Sequence, residues 1–184
     1  MGLHVVAVSG SLRSPSTSTA LLNGVLDELE RSAPIERSVI ELHALAGDLA
    51  VALTGGERSD AAAAAIGAVS GADLLVVATP VYRGAYTGLF KEFFDLVHQD
   101  ALEGTPVLLA AGGGNDQHSL VIDHGLRPLF AFFRARTLPV GVYARGVDFV
   151  DGRIDPAGAL PAAITRAVDA ALPLLAYSTV GTRA

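Results

Sequence analysis

"LHVVAVSGSLRSPSTSTALL" (Leu3–Leu22) runs from an unbroken apolar-rich stretch into a loop crowded with hydroxyls. Leu3–Val8 shows no polar alternation, the pattern of a strand covered on both faces, as in parallel sheets. The helical pattern of Ser18–Ser32 follows directly. A strand that opens into a helix this way presents first-turn N–H groups with no internal partner, a ready anion site. Ser11, Ser16, Thr17, Ser18 and Thr19 add hydroxyl donors there, and Arg13 adds charge. A Walker A loop would need Gly-Lys-Ser/Thr, and the loop has no Lys. A dinucleotide fingerprint would need Gly-x-Gly-x-x-Gly, and only Gly10 is present. A terminal phosphate monoester suits what remains. The alternative is helix capping, for which a single Ser or Thr suffices.

Outward from this stretch, strand-length apolar runs alternate with longer helical patterns. The runs are Leu3–Val8, a weak Val39–Leu42, Leu74–Thr79, Val107–Ala111 and Leu138–Tyr143. Helical spacing covers Ser18–Ser32, Ser59–Ser70, Gly88–His98, His118–Ala135 and Pro161–Ala176. Such alternation predicts βαβ units with right-handed crossovers. The fold class is α/β: a flavodoxin-like, doubly wound, five-stranded parallel sheet of order 2-1-3-4-5, with ligands at the carboxyl ends of the strands. Residues 1–176 are expected to form one domain and 177–184 a flexible tail. Val147–Ile154 reads as a short hairpin turning at Asp151-Gly152.

Composition narrows the function. A hydrophobic share of 51% against 17% charged residues suits a compact globular domain. The net charge of −6 argues against a nucleic-acid partner. No apolar stretch is long enough for a membrane span, and no basic leader precedes the first strand. A cytoplasmic protein is expected. With no cysteine, and no histidine pair at zinc-ligand spacing, no metal is expected.

Two further loops leave the same sheet edge. After the third strand, Pro80 and Gly84 bracket Val81-Tyr82-Arg83, the kind of strand-end loop that covers a planar heterocycle. Tyr82 and Tyr86 are open between ligand cover and interface packing. After the fourth strand come Gly112, Gly113 and Gly114, which permit close backbone approach to a bound group. These loops follow strands that adjoin in the expected order, so they should form one pocket.

Gly10-Ser11-x-Arg13 with Ser16 and Ser18, then "TPVYRGAYTGLFKEFFDL", then Gly113-Gly114 with His118 and "IDHGLRPL", resembles the NADPH-dependent FMN reductase family. The resemblance spans Val5 to about Ala144, and its nearest branch supplies reduced FMN to alkanesulfonate-type monooxygenases. It implies FMN as cofactor, NADPH or NADH as reductant, a flavin-dependent monooxygenase as partner, and a homodimer or homotetramer. It also implies that Ser11, Arg13, Ser18 and Thr19 hold the FMN phosphate. Pro80, Val81, Tyr82, Arg83 and Gly84 would line the isoalloxazine, and Gly112, Gly113 and Gly114 its pyrimidine edge. A quinone or azo reductase, or an electron carrier that never turns over NADPH, would use the same pocket.

Hydride transfer between nicotinamide and flavin needs no general base, in keeping with the lack of a hydrolase elbow motif. Backbone N–H groups of Gly113 and Gly114 are placed to meet negative charge on the reduced ring. The apolar set Leu89, Phe90, Phe93, Phe94 and Val97 is too extensive for one exposed surface helix, which predicts an oligomer. Within "SLVIDHGLRPLFAFF" (Ser119–Phe133), Gly125 and Pro128 interrupt helical spacing beside His124. Pro128 frees a carbonyl, which allows a single-turn π-bulge; a plain proline kink is the alternative. On the π reading His124 faces a neighbouring subunit and modulates flavin retention.

Overall fold

Three of the apolar runs become β1 (Leu3–Ser9), β3 (Leu74–Pro80) and β4 (Pro106–Gly113). The computed structural model describes the backbone of residues 2–181 and the side chains of residues 2–175. Val5–Val8, Leu74–Ala78 and Val107–Ala111 are wholly buried, which explains why these runs do not alternate. Val6, Val8, Leu75, Val77 and Leu109 face a layer containing α2 (Ala46–Leu53), α3 (Asp60–Ser70) and α4 (Gly88–Asp95). Val5, Ala7, Val76, Leu108 and Ala110 face α1 (Thr17–Ser32) and α6 (Leu160–Gly181). One sheet therefore separates two apolar cores.

With β2 (Ile35–Glu41) at one edge and β5 (Arg136–Thr137) at the other, the sheet order is β2-β1-β3-β4-β5, parallel at every pairing, as the α/β flavodoxin-like reading requires. β2 (Ile35–Glu41) begins at Ile35 rather than Val39. It is an edge strand whose residues are mostly half-buried or exposed, so it lacks a continuous apolar signature.

The expected fifth strand, Leu138–Tyr143, is in fact two short ones. β5 (Arg136–Thr137) and β6 (Val142–Arg145) both pair with β4. Pro139 lies in the break and has no N–H to give the ladder. Arg127 fills the break, its guanidinium donating to the carbonyls of Leu138 and Pro139, both at 2.9 Å, and to Thr137 Oγ1 at 3.2 Å. The hairpin is β7 (Phe149–Val150) and β8 (Arg153–Ile154). Its turn places Asp151 and Gly152 at φ 49° and 74°, the left-handed pair of a type I′ connection.

The long helix expected over His118–Ala135 is broken into a 3₁₀ turn at Asp116–His118, a π turn at Ile122–Leu126 and α5 (Arg127–Phe132). The Arg127 N–H donates to the Ile122 carbonyl, five residues back, which defines the π turn. The bulge is present.

The apolar set expected to require an oligomer, on α4 and just beyond it, is covered without one. α4 ends at Asp95, and Leu89, Phe90, Phe93, Phe94 and Val97 are all buried within this chain, between the sheet and Phe130 and Phe133. No second subunit is needed to cover them. α6 continues to Gly181, so the backbone expected as a tail is helical to that point, and 182–184 lie outside the described residues.

Candidate flavin site

At the carboxyl edge of the sheet, the loops after β1, β3 and β4 surround a cavity of about 320 Å³. Ser11, Arg13, Ser16 and Ser18 line one end. Pro80, Val81, Tyr82 and Gly112–Gly114 line the other.

At the first end, the two readings of the hydroxyls separate. Ser16 is the N-cap of α1: its Oγ accepts from the Ser18 N–H at 3.1 Å. Ser11 holds the loop shape, accepting from the Arg13 N–H at 3.3 Å and donating to the Arg13 carbonyl at 2.9 Å. Ser18 does neither. Among the described residues, its Oγ is the single buried side-chain oxygen or nitrogen with no hydrogen-bond partner. Buried hydroxyls rarely go unpaired without a reason, and this one borders the cavity at the first turn of a 16-residue helix. An anion there would supply the missing partner and meet the positive end of the helix.

The loop is also pressed against α4. A Cβ on Gly10 would lie 2.7 Å from Phe90 Cδ2 and 3.0 Å from Thr79 Oγ1, so only glycine fits there. Thr87, the α4 N-cap, donates its hydroxyl to the Gly10 carbonyl at 2.7 Å.

At the second end, Pro80 pairs with Gly112, and the Val81 N–H donates to the Gly112 carbonyl at 2.7 Å. Tyr82 and Ala85 exchange backbone hydrogen bonds of 2.9 and 3.2 Å around Arg83 and Gly84, both left-handed. The three glycines do different work. A Cβ on Gly113 would strike Tyr143 Oη at 2.2 Å, whereas one on Gly114 would meet nothing and one on Gly112 only the Ala144 carbonyl at 3.9 Å. Gly113 is glycine for packing; Gly112 and Gly114 leave room for a ligand edge. Tyr143 donates to the Asn115 carbonyl at 2.6 Å and so holds the loop. Burial, with the nearby Asp116 carboxylate, pushes the Tyr143 phenol above its ordinary pKa.

A wall that sequence reasoning did not assign comes from Ala144, Arg145, Gly146, Phe149 and Gly152. Arg145 is directed by Asp148, whose carboxylate accepts from Arg145 Nη2 at 3.0 Å, Nε at 3.3 Å and the backbone N–H at 2.6 Å. That guanidinium holds the Asp148 carboxyl below the ordinary carboxylate range, against the opposing effect of burial. The available signal was position: Arg145 pairs with Gly113, at the carboxyl end where α/β sheets bind ligands.

Four of the expected residues lie outside this cavity. Thr19 turns to the sheet edge, its hydroxyl 2.6 Å from Glu41 Oε1 and 3.0 Å from Ser9 Oγ. Arg83 is at the tip of the Tyr82–Ala85 turn. Gly84 and His118 line a neighbouring cavity of about 410 Å³, together with His124 on the π turn.

The family model described as NADPH-dependent FMN reductase matches residues 3–149. This chain belongs to that family. Its activity is therefore that of an NAD(P)H-dependent FMN reductase, with FMN as flavin and a reduced nicotinamide nucleotide as hydride donor. It is 49% identical over 172 residues to the NADH-dependent FMN reductase SfnE of Pseudomonas putida, covering 94% of this chain and 92% of that one. It is 48% identical over 172 residues to an FMN reductase (NADPH) of Pseudomonas aeruginosa, with 92% and 91% covered. Among solved structures, an oxidoreductase from Corynebacterium diphtheriae superposes with a TM-score of 0.85 at 36% identity, over 99% of both chains. The apo form of the NADH:FMN oxidoreductase EmoB gives a TM-score of 0.76 at 28% identity, over 91% of this chain and 87% of that one.

The residues present suit FMN. The unpartnered Ser18 hydroxyl and the α1 N-terminus match a phosphate, and the open faces of Gly112 and Gly114 match the edge of a flat ring. Among the described residues no helix is long and apolar enough to cross a membrane.

Proposed function

We propose that this FMN reductase holds FMN between the β1–α1 loop and the glycine loop, and works in the cytoplasm to supply reduced FMN to a flavin-dependent monooxygenase. The observation that carries the binding mode is the buried, unpartnered Ser18 Oγ at the head of α1. Ser11, Arg13, Ser16 and Ser18 take the phosphate; Pro80, Val81 and Tyr82 bound the ring; Gly112–Gly114 meet its polar edge. FMN supplies the hydride-accepting chemistry. The chain orients it, with glycine-loop N–H groups directed at the edge where negative charge accumulates on reduction. Gly84, His118 and His124 act from the adjoining cavity, where His124 modulates flavin exchange, and Arg83 acts from the tip of the Tyr82–Ala85 turn.

The relatives SfnE and SfnF, both named as NADH-dependent FMN reductases, support the flavin-reducing half of this reading, and the sequence resemblance to the alkanesulfonate-type branch supports the monooxygenase partner. A homodimer or homotetramer is part of the same reading. Its support is the exposed Phe132 beside a groove of about 750 Å³ that Leu129, Phe94 and Tyr86 also line. Titrating apoprotein with FMN and with riboflavin, then following NADPH and NADH oxidation, tests the proposal. Preference for FMN with flavin-dependent oxidation supports it; equal affinity for both flavins removes the phosphate assignment. Light scattering at micromolar concentration tests the assembly.

A further inference from the structure

The flavin cavity has a guanidinium at each end. In a chain of net charge −6, none of the residues lining it carries a carboxylate. Arg13 stands at the phosphate end, with Ser11, Ser16 and Ser18. Arg145 stands at the other, where β6 pairs it with Gly113 of the glycine loop. Oxidised FMN carries one fixed anion, its phosphate. Arg13 and the head of α1 answer that charge. Arg145 faces an uncharged ring until reduction places negative charge at the ring's N1–C2 edge.

Arg145 is held in place rather than left to swing. Its Nε and Nη2 donate to Asp148 at 3.3 and 3.0 Å, and that carboxylate also accepts from the Arg145 N–H at 2.6 Å. The Asp148 side chain is 7% exposed and does not line the cavity, whereas Arg145, 37% exposed, does. The pair is thus a dipole with its positive end toward the ligand. The hairpin fixes Asp148 in turn. It ends the 3₁₀ turn Gly146–Asp148, and its carbonyl accepts from the Asp155 N–H, just past β8, at 2.9 Å. Nη1 is left over. It makes no hydrogen bond among the described residues; Asp116 Oδ2 lies 3.8 Å away on a side chain 78% exposed, where solvent screens the attraction. A cation gripped by two of its nitrogens, with the third unspent, needs no reorganisation when charge develops beside it.

We propose that Arg145 sets the reduction potential of the bound flavin, by meeting the negative charge that reduction places on the ring edge at the glycine loop. This rests on FMN lying in the cavity with its phosphate at Ser18. The two arginines then divide the work. Arg13 acts on both redox states alike, because the phosphate does not change on reduction; Arg145 acts on the reduced state. Binding and reduction are linked, so the factor by which a side chain favours reduced over oxidised FMN appears as a rise in potential. For a two-electron couple, each tenfold in that ratio is about 30 mV.

The test needs no turnover. Apoprotein is titrated with oxidised FMN and, without oxygen, with dithionite-reduced FMN, and the potential of the bound flavin is read against a reference dye. Arg145→Gln should weaken reduced FMN about tenfold more than oxidised FMN and lower the potential by about 30 mV. Riboflavin should show the same change in ratio. Arg145→Lys keeps the charge and should keep most of the ratio, although it loses the fork onto Asp148. Arg13→Ala should weaken both redox states of FMN alike and leave the potential unchanged. Removing one member of a covered ion pair leaves the other charge unpaired. Where Arg145→Gln does not fold, Arg145→Gln combined with Asp148→Asn replaces the ion pair by two amides and supplies the same measurement. Equal losses for the two redox states, or an unchanged potential, overturn the proposal and leave Arg145 as a wall of the cavity. Full loss of the ratio in Arg145→Lys also overturns it and assigns the effect to shape. Failure of the flavin reading gives a different result: the unaltered protein would bind FMN in neither redox state.

Discussion

Thr87 and Gly10, far apart in sequence, are joined by a 2.7 Å hydrogen bond from the Thr87 hydroxyl to the Gly10 carbonyl. The same Oγ accepts from the Phe90 N–H at 3.2 Å and caps α4, while the Thr87 N–H donates to Thr79 Oγ1 at 3.2 Å. One buried side chain thereby fixes the loop after β1 against the helix after β3. Thr87→Val removes the cap and leaves the Gly10 carbonyl unpaired. The expected loss is about 2–3 kcal/mol of stability, with weakened FMN binding. Thr87→Ser keeps the hydroxyl and should restore most of both. Chemical denaturation and flavin titration check this; a stable Val variant with normal flavin affinity would contradict the coupling.

Ser18 offers the opposite trade. Its Oγ has no partner in the protein, so Ser18→Ala should leave stability unchanged or slightly higher. FMN should bind about ten- to hundredfold more weakly, since a hydrogen bond to a charged group contributes about 1.5–3 kcal/mol. Riboflavin, without phosphate, should be nearly indifferent. Arg13→Ala should discriminate in the same way, though Arg13 is exposed and its share is screened. Loss of stability in Ser18→Ala without loss of FMN would make the hydroxyl a structural group.

The contrast between these residues shows where sequence reading reaches and stops. β1, β3 and β4 were readable because strands buried on both faces are apolar at every position. β2 and α2 were not: β2 is an edge, and α2 buries only Leu49, so neither imposes a pattern. Pro139 marked the break in the last strand, but Arg127, which makes it tolerable, lies on another element. The hydroxyl loop was readable as an anion site, yet Ser11, Ser16, Ser18 and Thr19 look alike in sequence. Only the fold shows Ser16 capping, Thr19 turned to Glu41 and Ser18 unspent. Arg145 and Phe149 escaped because a hairpin recognised as local structure carries no mark of the cavity it walls.

The glycine loop separates packing from access. Gly113→Ala should destabilise the protein, because its Cβ would overlap Tyr143 Oη. Gly113→Ala combined with Tyr143→Phe should recover part of that loss by removing the clashing oxygen. Gly114→Ala should fold normally and lower FMN affinity, since its Cβ enters open space beside the cavity. Thermal unfolding and FMN titration of the three variants test the division. Equal unfolding losses for Gly113→Ala and Gly114→Ala would refute it.

Asp148 sets an acid limit. Its folded pKa is depressed, chiefly by the hydrogen bonds from Arg145. The stabilisation is therefore present above the unfolded carboxylate pKa, about 3.9. It is lost as pH falls through the depressed folded value. Across neutral and mildly acidic pH this pair should contribute no slope to stability, and Asp148→Asn should flatten the acid limb of the unfolding profile. The same variant should free Arg145 and loosen the β7–β8 wall, lowering FMN affinity at pH 7. An unchanged acid limb in Asp148→Asn would assign that limb to other carboxylates.

Arg127 connects the π turn to the broken edge of the sheet. Its N–H closes the π turn onto Ile122, and its guanidinium satisfies the Leu138 and Pro139 carbonyls that the ladder leaves behind. Arg127→Leu retains the backbone bond and the apolar stem but leaves those carbonyls unpaired, at an expected cost of about 1–3 kcal/mol. Arg127→Lys should rescue little, because one ammonium cannot reproduce the planar fork that reaches both carbonyls. Hydrogen exchange should report faster opening at Leu138, whose N–H donates to Val107 at 2.8 Å, and around the π turn, with α1 and β1 unaffected. Full rescue by lysine would show that charge near Asp123, rather than the fork, holds this edge.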